Sequence, residues 1–187
     1  MSTLDQVARI ETQVTSLLAL TQPITLVKKA VDTAEWIATT VGTHQELAEL
    51  KGVHLTANVD TLEPMPSGVD SFPANFDPIQ MARALDNLIL NAIRHAPPRG
   101  QVLVKTYYVN AADASLLRIA VIDNGPGVAF ADRERIFEPF VTGRPEGSGL
   151  GLAVTREIAT AHGGRAYVEK TDSGACFVID IPWHTYS

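Results

Sequence analysis

Four side chains between Asp77 and Ala96 are of types and at spacings that could act on one ligand: Asn87, Asn91, Arg94 and His95. Asn91 follows Asn87 by four residues, and Arg94 and His95 follow Asn91 by three and four, so all four share one side of a helix. An amide oxygen is a hard donor, suited to a Mg²⁺ ion that keeps most of its waters and bridges to phosphates. Arg94, one turn on, offers a planar fork for a phosphate. Two asparagines are poor helix formers, yet they interrupt a run rich in Leu, Ile and Ala. An ordinary core helix also shows a polar face to solvent. What separates the two readings lies downstream, in the glycine-rich stretches.

The first is Asp123-Asn-Gly-Pro-Gly-Val128, which follows a strand-like run. Gly125 and Gly127 let the backbone turn sharply and let a flat ligand approach. A carboxylate at Asp123 can accept a hydrogen bond from an exocyclic amine of the kind adenine carries. Asp-Asn-Gly is also a common plain turn. A further stretch, Gly147-Ser-Gly-Leu-Gly-Leu152, opens a predicted helix, where free backbone N–H groups and the helix dipole favour a polyphosphate. It lacks the Lys-Ser/Thr ending of a P-loop and does not follow a strand as a dinucleotide fingerprint does.

The elements that must position these residues are legible in outline. Asp77 is a good N-cap, Pro78 suits the first helical position, and Pro97-Pro98-Arg99-Gly100 ends the helix. Its apolar stripe is Leu85, Ile89, Ala92 and Ile93. Upstream, Leu4, Val7, Ile10, Val14, Leu17 and Leu18 predict an amphipathic helix whose apolar face needs a partner. Ile24 to Val27 reads as a short strand, Lys28 to Lys51 as a long helix capped by Gly52, and Val53 to Val59 as a strand. Thr61 to Asn75 reads as mostly loop, with a short strand before Asp77. Gln101 to Val109 and Ser115 to Ile122 form an expected hairpin. A helix from about Leu150 to His162 stops at Gly163-Gly164, and strands Arg165–Lys170 and Cys176–Ile181 turn through Asp172-Ser-Gly174. The sum is a two-layer α/β sandwich: an antiparallel-rich mixed sheet with helices on one face, plus an N-terminal helical segment.

Composition narrows the partners. With 187 residues, 45% hydrophobic and 19% charged, the chain supports one sizeable core and an appendage. The net charge of −6 offers no basic stripe for a nucleic acid. One cysteine, Cys176, excludes an intramolecular disulfide and a cysteine zinc site and fits a reducing cytosol. No apolar run reaches a membrane span, so a cytoplasmic domain is expected, which a membrane-anchored parent could also carry.

Asn-x-x-x-Asn on a helix, Asp-x-Gly-x-Gly after a strand, Phe137-Glu-Pro-Phe140 and Gly-x-Gly-Leu-Gly-Leu occur in that order. Together they resemble the asparagine box, first glycine box, phenylalanine box and second glycine box of the ATP-binding catalytic domain of two-component sensor histidine kinases. That domain belongs to the Bergerat-fold superfamily of DNA gyrase, MutL and heat-shock chaperone ATPases. The resemblance covers about residues 24–182 and implies two parts: 1–22, similar to the end of a second dimerisation helix, and 23–187, the catalytic domain.

Carried over residue by residue, the resemblance implies that Asn91 ligates Mg²⁺ and Asn87 sits beside the phosphates and metal-bound waters. Arg94 would reach a phosphate, and His95 would pack by the adenine or ribose. Asp123 would bond the adenine amino group in a pocket shaped by Gly125, Gly127 and Val128. Gly147, Ser148, Gly149, Leu150 and Gly151 would bind phosphates and hinge a lid. Phe137 and Phe140 look like lid anchors, and Arg144, from its place in the lid, would point at the terminal phosphate. ATP-hydrolysing members carry a water-activating glutamate where this chain has Asn87, which cannot act as a general base. Phosphoryl transfer needs metal and positioning more than water activation. The short lid is similar to that of nitrogen-sensor-type kinases.

The chain departs from a complete kinase in its histidines. His44-Gln-Glu lacks the proline that follows a phosphorylated histidine, and His54, His162 and His184 read as structural or surface residues. The acceptor histidine is therefore expected on a dimerisation domain outside this chain, in a longer parent protein. The expected reaction is γ-phosphoryl transfer from Mg-ATP to that histidine, for relay to a response regulator receiver domain. The N-terminal helix could pair two copies or fold back on the domain. A nucleotide-dependent switch without transfer, and a serine kinase of the anti-sigma type, are the rival readings; a general ATPase is least favoured.

Overall fold

Asp77 joins three segments at one point. Its Oδ1 accepts from the N–H groups of Ile79 and Gln80, capping a helix, while its Oδ2 accepts from Val27 N–H at 2.7 Å. Its own N–H donates to Nε2 of His162 at 3.0 Å. Burial alone would raise the carboxyl's pKa, but the bonds from Val27, Gln80 and Ile79 outweigh it and hold it below the usual range.

The computed structural model describes residues 23–59, 73–111, 114–142 and 148–183. A five-stranded sheet has the order β2-β4-β5-β7-β6: β2 (His54–Val59), β4 (Gln101–Ala111), β5 (Ala114–Asp123), β7 (Ala175–Pro182) and β6 (Arg165–Glu169). β2 runs parallel to β4, and every other pairing is antiparallel. Beside it, β1 (Lys29–Asp32) and β3 (Pro73–Phe76) form a two-stranded antiparallel ribbon. The helices are α1 (Thr33–Gly42), α2 (Gln45–Leu50), α3 (Pro78–His95) and α4 (Gly151–Ala161).

Strand alternation puts Val102, Val104, Leu117, Ile119, Val121, Phe177 and Ile179 on one face of the sheet. They share a core with Met81, Leu85, Leu88, Ile89 and Ile158 of α3 and α4. Each such fully buried side chain contributes about 1.5–3 kcal/mol. The α3 stripe read from the sequence is thus the face that seats the helix, which leaves Asn87, Asn91, Arg94 and His95 off the core.

The N-terminal third differs from expectation. Ile24 to Val27 is not a strand, because the Val27 N–H is taken by Asp77 rather than a ladder. The strand lies further on, where Val31 pairs with Ala74. The long helix from Lys28 to Lys51 is instead a strand and two helices. Asp32 caps α1 through bonds to Ala34 and Glu35 N–H, and the chain turns at Thr43-His44 before α2. Gly52, at φ +66°, closes α2 as expected. The amphipathic stretch ending at Leu20, most of the loop from Thr61, and His184 lie outside the described residues.

His162 ends α4 as a buried, neutral bridge. Nδ1–H donates to the Ile158 carbonyl at 2.8 Å while Nε2 accepts from Asp77 N–H. Burial pushes its pKa down, nearby Lys28 adds to that, and the Ile158 bond and the Asp77 carboxylate oppose it. The unfolded chain therefore binds this proton first as pH falls. Stability present above the ordinary histidine pKa, near 6.5, is lost as pH drops through the lower folded value. Denaturant titrations at about pH 7 and about pH 5 should show a larger acid loss in the natural chain than in His162→Gln. Equal losses would remove His162 from the cause.

Candidate functional site

Three elements bring the chemistry-bearing residues together. α3 presents the asparagines, the end of β5 presents Asp123, and the start of α4 closes against α3 through direct bonds. Asn87 Nδ2 donates one of its two N–H groups to the Gly151 carbonyl at 3.1 Å, which orients the amide and leaves Oδ1 as its acceptor. A Cβ on Gly151 would make a tight contact with Asn87 Oδ1, at 3.3 Å. Asn91 is half-buried, Arg94 is exposed, and His95 Nδ1–H donates to the Asn91 carbonyl at 2.9 Å, fixing the ring against its own helix.

Asp123, the last residue of β5, is 4% exposed. Burial pushes its carboxyl pKa up, opposed by the N–H groups of Gly125 and Ala175 and by His95. The Gly125 N–H reaches Oδ1 at 2.8 Å. A Cβ on Gly125 would come within 2.7 Å of the His95 carbonyl oxygen, so this glycine lets the loop touch the end of α3. Gly127 has φ +77°, and a Cβ there would sit 2.6 Å from the Gly174 carbonyl oxygen. Val128 is half-buried and packs on the core.

Gly174, which the sequence predicts only as a turn residue, is a further contributor. It has φ +71°, and a Cβ on it would strike the Asp123 carbonyl oxygen. Its missing side chain lets the β6–β7 turn lie directly beneath Asp123. The only sequence signal was a glycine ending Asp-Ser-Gly.

In the phenylalanine segment the two rings part ways. Phe137 is 2% exposed and meets Phe177 edge-on, with the Arg156 guanidinium 4.6 Å above it. Phe140 is 63% exposed, so its ring is not a buried anchor. Its backbone is what holds: at φ +66°, its N–H donates to the Gly149 carbonyl at 2.9 Å. Gly149, also at φ +66°, has no room for a side chain, since a Cβ would lie 2.5 Å from the Phe140 carbonyl carbon. Ser148 Oγ accepts from Leu150 N–H at 3.3 Å, and Leu150 is buried. Arg144 and Gly147 lie outside the described residues.

The four histidines other than His95 divide as expected where they can be seen. His44 Nε2 is 2.7 Å from Asp86 Oδ1, His54 sits exposed on β2, and His162 is the bridge described above. Among the described residues, no cluster of three or more His, Cys, Asp or Glu could hold a metal, and no helix is long and apolar enough to cross a membrane. A neutral amide donor such as Asn91, without a carboxylate cage, fits a Mg²⁺ ion that brings its own waters and takes its charge partners from a nucleotide.

Known proteins share this fold and much of this sequence. Residues 76–185 match the family model described as histidine kinase-, DNA gyrase B-, and HSP90-like ATPase. Over 109 residues the chain is 41% identical to the alginate biosynthesis sensor protein KinB of Pseudomonas aeruginosa, covering 57% of this chain and 18% of that one. Over 177 residues it is 33% identical to the sensor histidine kinase ZraS of Escherichia coli O157:H7, covering 93% of this chain and 36% of that one. The chain therefore spans roughly a third or less of these relatives. The fold also matches full-length ShkA in complex with AMPPNP, with a TM-score of 0.78 and 27% identity over 96% of this chain and 37% of that one. The chain belongs to the histidine kinase-, DNA gyrase B- and HSP90-like ATPase family, and within it is similar over most of its length to sensor histidine kinases.

Proposed function

We propose that the chain binds Mg-ATP between the polar face of α3, Asp123 and the start of α4. It would transfer the γ-phosphoryl group to a histidine on a dimerisation domain outside this chain, for relay to a response regulator receiver domain. Asp123 accepts from the adenine amino group, with Gly125, Gly127 and Val128 forming the floor and His95 alongside. Arg94 and the Ser148–Gly151 loop take the phosphates, with Gly147 and Arg144 completing the lid and the Phe140 backbone holding it. Asn91 would hold Mg²⁺, which when bound neutralises phosphate charge. Residues 1–22 would belong to the dimerisation region and could pair two copies, and residues 23–187 would form the catalytic domain, in the cytoplasm.

The observation that carries this reading is Asn87. One N–H of its amide is bonded to the Gly151 carbonyl, which fixes the side chain, and an amide oxygen cannot take a proton from water. The site is thus built to position a phosphoryl group rather than to activate water, which suits transfer.

The test uses γ-labelled ATP and Mg²⁺ on this chain and on a version extended upstream through the dimerisation domain. Label on the extended chain alone, lost in acid and kept in base, is expected. Asn91→Ala in the extended chain should give none, while its circular dichroism and melting stay unchanged. Tight ATP binding with no stable label on either chain would replace transfer with a nucleotide-driven switch, and label on a partner serine would replace it with the serine kinase.

A further inference from the structure

Thr155 lies one turn into α4 and is fully buried. Its hydroxyl donates to the Gly151 carbonyl at 3.0 Å and lies 3.4 Å from the Ala84 carbonyl of α3. The Gly151 carbonyl is the same oxygen that accepts from Asn87 Nδ2. Two side chains, one from each helix, therefore converge on one backbone atom at the first residue of the glycine-rich loop's helix. A threonine inside a helix often bonds its own fourth-preceding carbonyl with no wider effect. Here three further features are present: the partner carbonyl is shared with a site residue, the hydroxyl also faces the neighbouring helix, and Gly151 has no side chain to hold it by.

We infer that Thr155 is a positioning residue for the phosphate-binding loop. It touches no ligand. It holds the Gly151 carbonyl toward Asn87, which orients the Asn87 amide and sets where the N–H groups of the first turn of α4 point. Adenine recognition depends on Asp123 and the loop after β5, a separate set of contacts. Loss of the Thr155 hydroxyl should therefore weaken the hold on phosphates and spare the base. The inference rests on the nucleotide-binding reading above.

Thr155→Val removes the hydroxyl at nearly constant volume, and Thr155→Ser keeps it. Binding of Mg-AMPPNP and of adenosine is measured by titration with ligand-observed NMR, alongside thermal melting. For Thr155→Val the ratio of AMPPNP to adenosine affinity should fall about 5- to 10-fold, the effect of one lost hydrogen bond and a slackened one beside it. Thr155→Ser should restore the ratio to within about twofold. An unchanged ratio with a lower melting temperature would overturn the inference and leave a merely structural threonine. If the valine variant does not fold, Thr155→Ala is read in the same way, and failure of both to fold also overturns it. Failure of the natural chain to bind AMPPNP would instead sink the nucleotide reading itself.

Discussion

Asp123→Asn is expected to bind ATP roughly 10- to 100-fold more weakly while keeping its fold. The asparagine Oδ1 can still accept from Gly125 N–H, so the loop after β5 keeps its shape. The other half of the side chain becomes an N–H donor facing the adenine amino group, which is also a donor. A nucleotide whose base carries a carbonyl at that place should bind the variant better, so titration with ATP and with inosine triphosphate should show the preference reversing. An unchanged preference would remove Asp123 from base recognition.

The same substitution should not harm the empty domain. Burial raises the folded pKa of Asp123 above its ordinary value, so in that window the folded state holds more protons than the unfolded one. Stability then falls as pH rises through the folded pKa, and at neutral pH the ionised carboxylate is a net liability. Asp123→Asn should therefore melt at the same temperature or higher in the absence of nucleotide. A group kept at a cost to the fold is what a binding role predicts.

Gly174→Ala should be the most damaging single change near the site. A residue with a Cβ loses about 1–2 kcal/mol at a left-handed backbone position. The methyl would also strike the Asp123 carbonyl oxygen, a backbone atom held in the β5–β7 ladder where Asp123 pairs with Ala175. A total near 3 kcal/mol would lower the melting temperature by about 6–12 °C. Displacement of the Asp123 backbone should weaken ATP binding in the molecules that still fold. Gly42→Ala is the control: nothing lies within 4 Å of its Cβ, and it ends α1 with no positive φ, so the change should be neutral or stabilising. A Gly174→Ala variant that melts like Gly42→Ala would contradict the packing described here.

The amino-acid sequence by itself determined the α3 helix, the β4–β5 hairpin, the α4 helix and the strands around it. These are local decisions: Asp77 and Pro78 at one end and two prolines at the other, alternation in the strands, paired glycines after His162. It also determined the chemical types at the site, because Asn87, Asn91, Asp123 and the glycine-rich loop lie in short motifs whose order carries the family resemblance. At the start of the chain the local pattern and the structure differ for a complementary reason. Ala30, Ala34 and Ile37 satisfy a helical period, but Lys29 to Asp32 is claimed by β3, and the Val27 N–H by a carboxylate fifty residues away.

Only the tertiary structure decided which atoms meet. The exposure of the Phe140 ring, with its backbone bound to Gly149, follows from a non-local hydrogen bond that no spacing rule encodes. The same holds for Gly174 under Asp123, Thr155 and Asn87 sharing the Gly151 carbonyl, and His162 seated on the cap of α3. Each joins residues far apart in the chain, and their contact is settled by packing helices against a shared sheet. Local propensity chose the elements; burial and hydrogen-bond satisfaction between them chose the site.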